Sequence, residues 1–193
     1  MKRMIFSLAL VFSAYAFAQE YTTPVASPRQ KIEQQFSISK IGIDYGRPGA
    51  KGRQVFGGIV PFGKIWRAGA NAVTKISFGQ EVDFNGKKVG AGTYALFILP
   101  EKDTWKIILN TDTKQWGAFN YDAKLNVAEV SVPVLSLDQP VEWFTINFTP
   151  NGNTDLDMDI SWEKSKVIVP IKIVDNEAVS KIIKDLKAEK AKK

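Results

Sequence analysis

Residues 154–162, TDLDMDISW, alternate with a period of two. Leu156, Met158, Ile160 and Trp162 share one parity, and Asp155, Asp157, Asp159 and Ser161 the other. A strand sends successive side chains to opposite faces, so this stretch has one dry face and one wet face. Residues 166–173 repeat the pattern with Val167, Val169 and Ile171 inward. Upstream, residues 141–148 place Phe144, Ile146 and Phe148 on one face, and residues 127–135 do the same with Ala128, Val130, Val132 and Val134. Residues 104–110 (TWKIILN) align Trp105, Ile107 and Leu109, and residues 92–99 (GTYALFIL) are dense in β-formers up to Pro100. Residues 81–89 read as a hairpin whose Asn85-Gly86 pair fits a type I′ turn. Residues 73–78 are a further strand. Residues 35–45 (QFSISKIGIDY) are extended but change parity between Phe36 and Ile41, which predicts a bulge near Ser39-Lys40.

The sum is about nine strands at roughly 8–12-residue spacing, an all-β pattern that predicts a jelly-roll-like β-sandwich. A C-terminal helix follows. Asp175 or Asn176 can cap it, and Val179, Ile182, Ile183 and Leu186 form its apolar stripe. The expected organisation is a leader at 1–18, a flexible lead-in at 19–28, a sandwich at 29–174, and a helix with a lysine-rich tail at 175–193.

The leader reading rests on Lys2 and Arg3, the apolar run at 4–12, and the Ala16-Phe17-Ala18 cleavage pattern. It predicts an exported chain, periplasmic or secreted, beginning at Gln19. No stretch is long enough for a transmembrane helix. The chain has no Cys and no His. That excludes disulfides, thiol catalysis, Ser-His-Asp triads and the usual zinc ligands, so no cofactor or metal is expected. The formal net charge is +6, and loss of Lys2 and Arg3 leaves +4, spread over scattered lysines. No nucleic acid partner follows from that.

One stretch stands apart. Residues 45–74, YGRPGAKGRQVFGGIVPFGKIWRAGANAVT, hold seven of the fourteen glycines, five basic residues and no acid. Short strands are expected at 59–60 and 64–66. Tyr45, Arg47, Arg53, Trp66, Arg67 and Asn71 are the predicted ligand-binding residues. Arginine presents a planar fork of donors, Asn adds an amide, and the rings offer a stacking face. The expected ligand is a small polar molecule or a carbohydrate, bound without catalysis. The same residues also read as a network that staples a glycine-rich loop to the sheet.

Two further groups carry paired readings. The aspartates at 155, 157 and 159 are a calcium or catalytic set, or a solvated face with Lys166 and Lys172 opposite. Trp105, Trp116, Trp143, Phe119 and Tyr121 are a sugar platform, or core and helix packing. The alternative functional classes are a carboxylate hydrolase of envelope polysaccharide, using Asp44 and Asp122, and a structural protein of the envelope.

Several strings carry a resemblance. They are Asp44-Tyr45-Gly46-Arg47-Pro48, Lys51-Gly52-Arg53, Val60-Pro61-Phe62-Gly63 and Trp66-Arg67-Ala68-Gly69-Ala70-Asn71 with Thr74. Asn85-Gly86-Lys87, Gly92-Thr93-Tyr94, Trp116-Gly117 and Tyr121-Asp122 extend it. Together these resemble the exported bacterial family catalogued as domain of unknown function 2911. Members of it often carry an Asp and an Arg just after the Tyr-Asp pair, and residues 125–128 (LNVA) lack both. The resemblance implies an exported β-rich fold and no particular chemistry.

Overall fold

The computed structural model describes residues 23–174 and 177–190. The expected leader at 1–18, the start of the lead-in, the two cap candidates Asp175 and Asn176, and residues 191–193 of the tail lie outside the described residues. Among these residues ten strands and one α-helix follow in order: β1 Arg29–Phe36, β2 Ser39–Gly46, β3 Thr74–Phe78, β4 Val82–Phe84, β5 Lys87–Val89, β6 Gly92–Pro100, β7 Thr104–Asn110, β8 Asn126–Pro133, β9 Leu135–Pro150, β10 Asp155–Ile173 and α1 Glu177–Lys190.

The strands form two antiparallel sheets, one ordered β1-β2-β3-β6-β7-β8 and the other β5-β4-β10-β9. The first is a meander, interrupted where the β4–β5 hairpin crosses to the second sheet and β6 returns beside β3. Asn85 and Gly86 both have positive φ (48° and 87°), as a type I′ turn requires. The inward parity of both sheets meets in one core. Ile41, Ile43, Ile107 and Leu109 come from the first sheet, and Phe144, Ile160, Trp162 and Val169 from the second. β6 and β7 are buried on their outer face too, where Ala95, Phe97 and Ile108 pack with Val73, Ile65, Ala118 and Tyr121. That explains why residues 92–99 are apolar on both parities.

The structure corrects two readings of parity. The change between Phe36 and Ile41 is a hairpin, not a bulge: Phe36 pairs with Ser39, and Ser37 turns the chain with a φ of 53°. Residues 154–162 and 166–173 are one strand, not two. β10 runs through both, and its register against β9 shifts on either side of Glu163, whose φ is 51°. Across this irregularity the inward set of β10 turns from even to odd numbers.

The aspartate row lies half-buried on the outer face of β10, with lysines against it. Lys166 Nζ lies 2.9 Å from Asp159 Oδ1, and Lys172 Nζ lies 3.7 Å from Asp155 Oδ1. Among the described residues no cluster of three or more acids could hold a metal ion. None of the described helices is long and apolar enough to cross a membrane.

Candidate functional site

Between β2 and β3 the glycine-rich chain crosses the open edge of β9 and enters the core. Gly49 bridges Trp143, Ala50 N–H donates to Glu142 O at 2.8 Å, and Phe144 N–H donates to Pro48 O at 2.9 Å. The sequence-predicted short strands at 59–60 and 64–66 are only isolated bridges, Phe56 with Val60 and Trp66 with Ile98. At the start of the loop Gly46 has no room for a side chain, since a Cβ there would lie 2.3 Å from Ala70 O.

The six sequence-predicted binding residues separate in this setting. Tyr45 is fully buried between the sheets; its hydroxyl accepts from Ile146 N–H at 3.0 Å and donates to Gln30 Oε1 at 2.8 Å. Burial raises its pKa above the ordinary 10.0, against the lowering effects of the Ile146 backbone bond and of Arg47. Arg47 donates through Nε to Phe144 O at 3.1 Å and through Nη2 to Thr145 Oγ1 at 3.0 Å. Trp66 stacks on Trp162 with ring centroids 5.7 Å apart, and its Nε1 donates to Gly69 O at 3.0 Å. Asn71 is an exposed turn residue with a φ of 64°. These contacts fit the stapling reading of Tyr45, Arg47 and Trp66: the first two tie the start of the loop to β9, and the third satisfies a loop carbonyl.

Arg53 and Arg67 differ. Arg53 donates to Ala50 O at 3.0 Å and Gly49 O at 2.8 Å, and it also lines a cleft of about 360 Å³. Gln54 stands with it on the loop wall. The opposite wall is Glu142 of β9 with Glu163 and Lys164 at the β10 bulge, beside Pro140 and Val141. Two carboxylates tie the walls together: Glu142 Oε1 accepts from Lys51 N–H at 2.8 Å and Glu163 Oε2 from Val55 N–H at 3.0 Å. Each therefore spends one oxygen on the loop and keeps another. The cleft is lined by both charge signs, and the larger part of its exposed lining is apolar. Its size falls in the range of about 300–1,000 Å³ typical of small-molecule sites.

Glu142 and Glu163 escape a motif search, because nothing in their sequence neighbourhood marks them as site residues. The one available signal is the parity change between Trp162 and Val167, which requires an irregular residue between them.

Arg67 has a buried Nε without a hydrogen-bond partner, and burial lowers the pKa of its guanidinium. It remains charged, since arginine does not deprotonate in proteins. Asp44 sits in another groove, of about 310 Å³, across the outer face of β1, β2 and β3, and Arg29 Nε lies 2.5 Å from its carboxylate. Asp122 does not line that groove; its carboxylate accepts from Lys124 N–H at 2.9 Å and caps a short 3₁₀ turn at Ala123–Leu125. The two aspartates considered as a hydrolytic pair are thus each engaged locally. Trp105 is a core residue, while Trp143 lies against Gly49.

Residues 27–171 match the model of a family described as a protein of unknown function (DUF2911). No curated protein and no solved structure matches the chain.

Proposed function

The chain belongs to the DUF2911 family, and for this member we propose an exported, non-catalytic binding function for a small polar ligand, with the arginine–glycine loop as one wall of the site. The observation that carries this reading is the cleft of about 360 Å³ between Arg53–Gln54 and the β9–β10 bulge. Its walls are preorganised. Arg53 is braced by two loop carbonyls, and Glu142 and Glu163 are braced by two loop amides. Preorganised groups lose little freedom when they bind, so more of the interaction appears as affinity.

The chemistry of the lining narrows the ligand. Arg53 and Lys164 attract a carboxylate or hydroxyl oxygens, and Glu142 and Glu163 accept from an ammonium or hydroxyls. A monosaccharide or an amino acid fits both the charges and the volume. Glu163 holds a left-handed backbone, a conformation that costs a non-glycine residue energy and that clusters at functional sites. The leader at 1–18 would carry the protein to the compartment where such solutes are met.

The test is a thermal-shift screen of the purified protein against neutral sugars, amino acids and small dicarboxylates. A ligand that binds only the folded state raises the melting temperature with concentration. The expected result is a dose-dependent rise for one class, lost in Lys164→Ala and weakened in Arg53→Lys. The proposal is overturned if no class shifts the protein, or if both variants respond as the parent does.

A further inference from the structure

The cleft beside Arg53 holds four charges that do not satisfy one another. Arg53 and Lys164 are cationic, Glu142 and Glu163 are anionic, and all four line one space of about 360 Å³. Among the described residues no ion pair joins either cation to either carboxylate. Opposite charges that share a small space tend to pair, and here hydrogen bonds to the loop backbone hold three of them in place. Arg53 commits its Nε and Nη2 to the carbonyls of Ala50 and Gly49. Glu142 and Glu163 stand on neighbouring strands, since Glu163 pairs in register with Val141. They commit one oxygen each to the amides of Lys51 and Val55, on either side of Arg53 in the chain. Arg53 Nη1, the Lys164 ammonium and one oxygen of each carboxylate remain. Arg53, Glu142 and Lys164 are exposed and Glu163 is half-buried, so a solute can reach all four.

The rest of the lining is of a different kind. Ala50, Pro140 and Val141 contribute to its apolar part, which is the larger, and there is no aromatic ring among the lining residues. A neutral sugar would cover the four charges without neutralising any, and it would find no ring to stack on. A simple anion or a simple cation would meet charges of its own sign, which is costly. A ligand that carries both signs meets all four groups with their complements.

Given the binding role proposed for this cleft, we propose that its ligand is a free α-amino acid with an apolar side chain. The ligand's ammonium takes the uncommitted oxygens of Glu142 and Glu163. Its carboxylate takes Arg53 and Lys164, and its side chain lies against Pro140 and Val141. An α-amino acid carries its two charges on one carbon, which suits a small space with both signs in its walls. A peptide separates them by its own length.

The test is isothermal titration of the intact protein with leucine, valine and phenylalanine. Each is set beside the amine that lacks its carboxylate and the acid that lacks its ammonium, with glucose and succinate as further arms. One of the amino acids should bind, and its amine and acid analogues should each bind at least about tenfold more weakly, as loss of a charged hydrogen-bonding partner predicts. Glu142→Gln keeps a carbonyl to accept from the Lys51 amide and loses only the charge. In it the preference for the amino acid over the acid analogue should shrink at least about threefold while the melting temperature holds. In Lys164→Ala the preference over the amine analogue should shrink instead. A purely structural role for either side chain would leave these ratios unchanged. If glucose or succinate binds and no amino acid does, the amino acid is overturned and the cleft remains a binding site. If nothing in the panel binds, both readings fall. An amine or acid analogue that binds as tightly as its amino acid also overturns the proposal, because one end of the ligand is then idle.

Discussion

The two long loops of this protein share a vocabulary of glycine, aromatic and polar residues and use it in opposite ways. The loop after β2 packs Phe56 and Trp66 against the core and leaves Phe62 partly exposed. Phe56 packs 4.4 Å, centroid to centroid, from Trp105, and Trp66 stacks on Trp162 and meets Phe144 edge-on. Arg47 and Arg53 bond carbonyls and a hydroxyl. The loop after β7 keeps Trp116 and Phe119 in solvent while Tyr121 anchors it, its hydroxyl accepting from Asn126 Nδ2 at 2.7 Å. The difference lies in what each loop crosses. The first closes the gap between two sheets, where an apolar space must be filled. The second lies on the outside of one sheet, where Ala118 and Tyr121 join Ile65 and Val73 over Phe97 and Ile108. An aromatic residue in a loop is therefore a site feature only where the core does not need it.

The sharpest test of this contrast pairs the two tryptophans. Trp66→Ala should cost about 3–5 kcal/mol in urea denaturation, because it opens a cavity among large rings. Trp116→Ala should stay within about 0.5 kcal/mol of the parent, as an exposed position does. Equal costs would erase the distinction between the loops.

A smaller effect is expected at Tyr45. Tyr45→Phe should cost about 1–3 kcal/mol, since it leaves the buried Ile146 N–H without its acceptor. Alkaline stability supplies the sign check. The folded-state pKa of Tyr45 is raised above the unfolded 10.0, so its stabilising contribution is complete below pH 10. That contribution falls as the pH rises beyond 10 towards the folded value. Stability measured against pH should therefore decline less steeply in Tyr45→Phe, and an unchanged slope would argue that the phenol does not act as the buried bridge. A small effect of opposite sign belongs to the second loop. Gln115→Leu should raise stability by about 1 kcal/mol, because two unpaired polar atoms leave the interior. A loss of similar size would mean that the amide is satisfied within the protein.

Much of the architecture was legible in the alternation of side chains. β6 and β7 run close to their sequence-read bounds, and the Asn85-Gly86 turn has the backbone its residues favour. The errors fall where parity changes. Phe36 to Ile41 and Trp162 to Val167 look alike on paper, since each requires the inward set to switch between even and odd positions. One is a hairpin and the other a bulge. Neither carries the glycine or Asn-Gly signal that distinguishes them, because Ser37 and Glu163 adopt positive φ instead. The candidate cleft was half legible. Arg53 stands out by composition, whereas Glu142 and Glu163 reach it only because β9 and β10 are neighbours and the bulge turns Glu163 toward the loop.

By itself the sequence determined the two-faced strands, the β-sandwich class and the family, because period-two alternation and short motifs are local properties. Only the tertiary structure decided which rings and guanidinium groups are spent internally. Whether Trp66 is core and Trp116 surface depends on the space between sheets brought together from distant parts of the chain. Burial is a property of that packed arrangement, and no single stretch of residues encodes it.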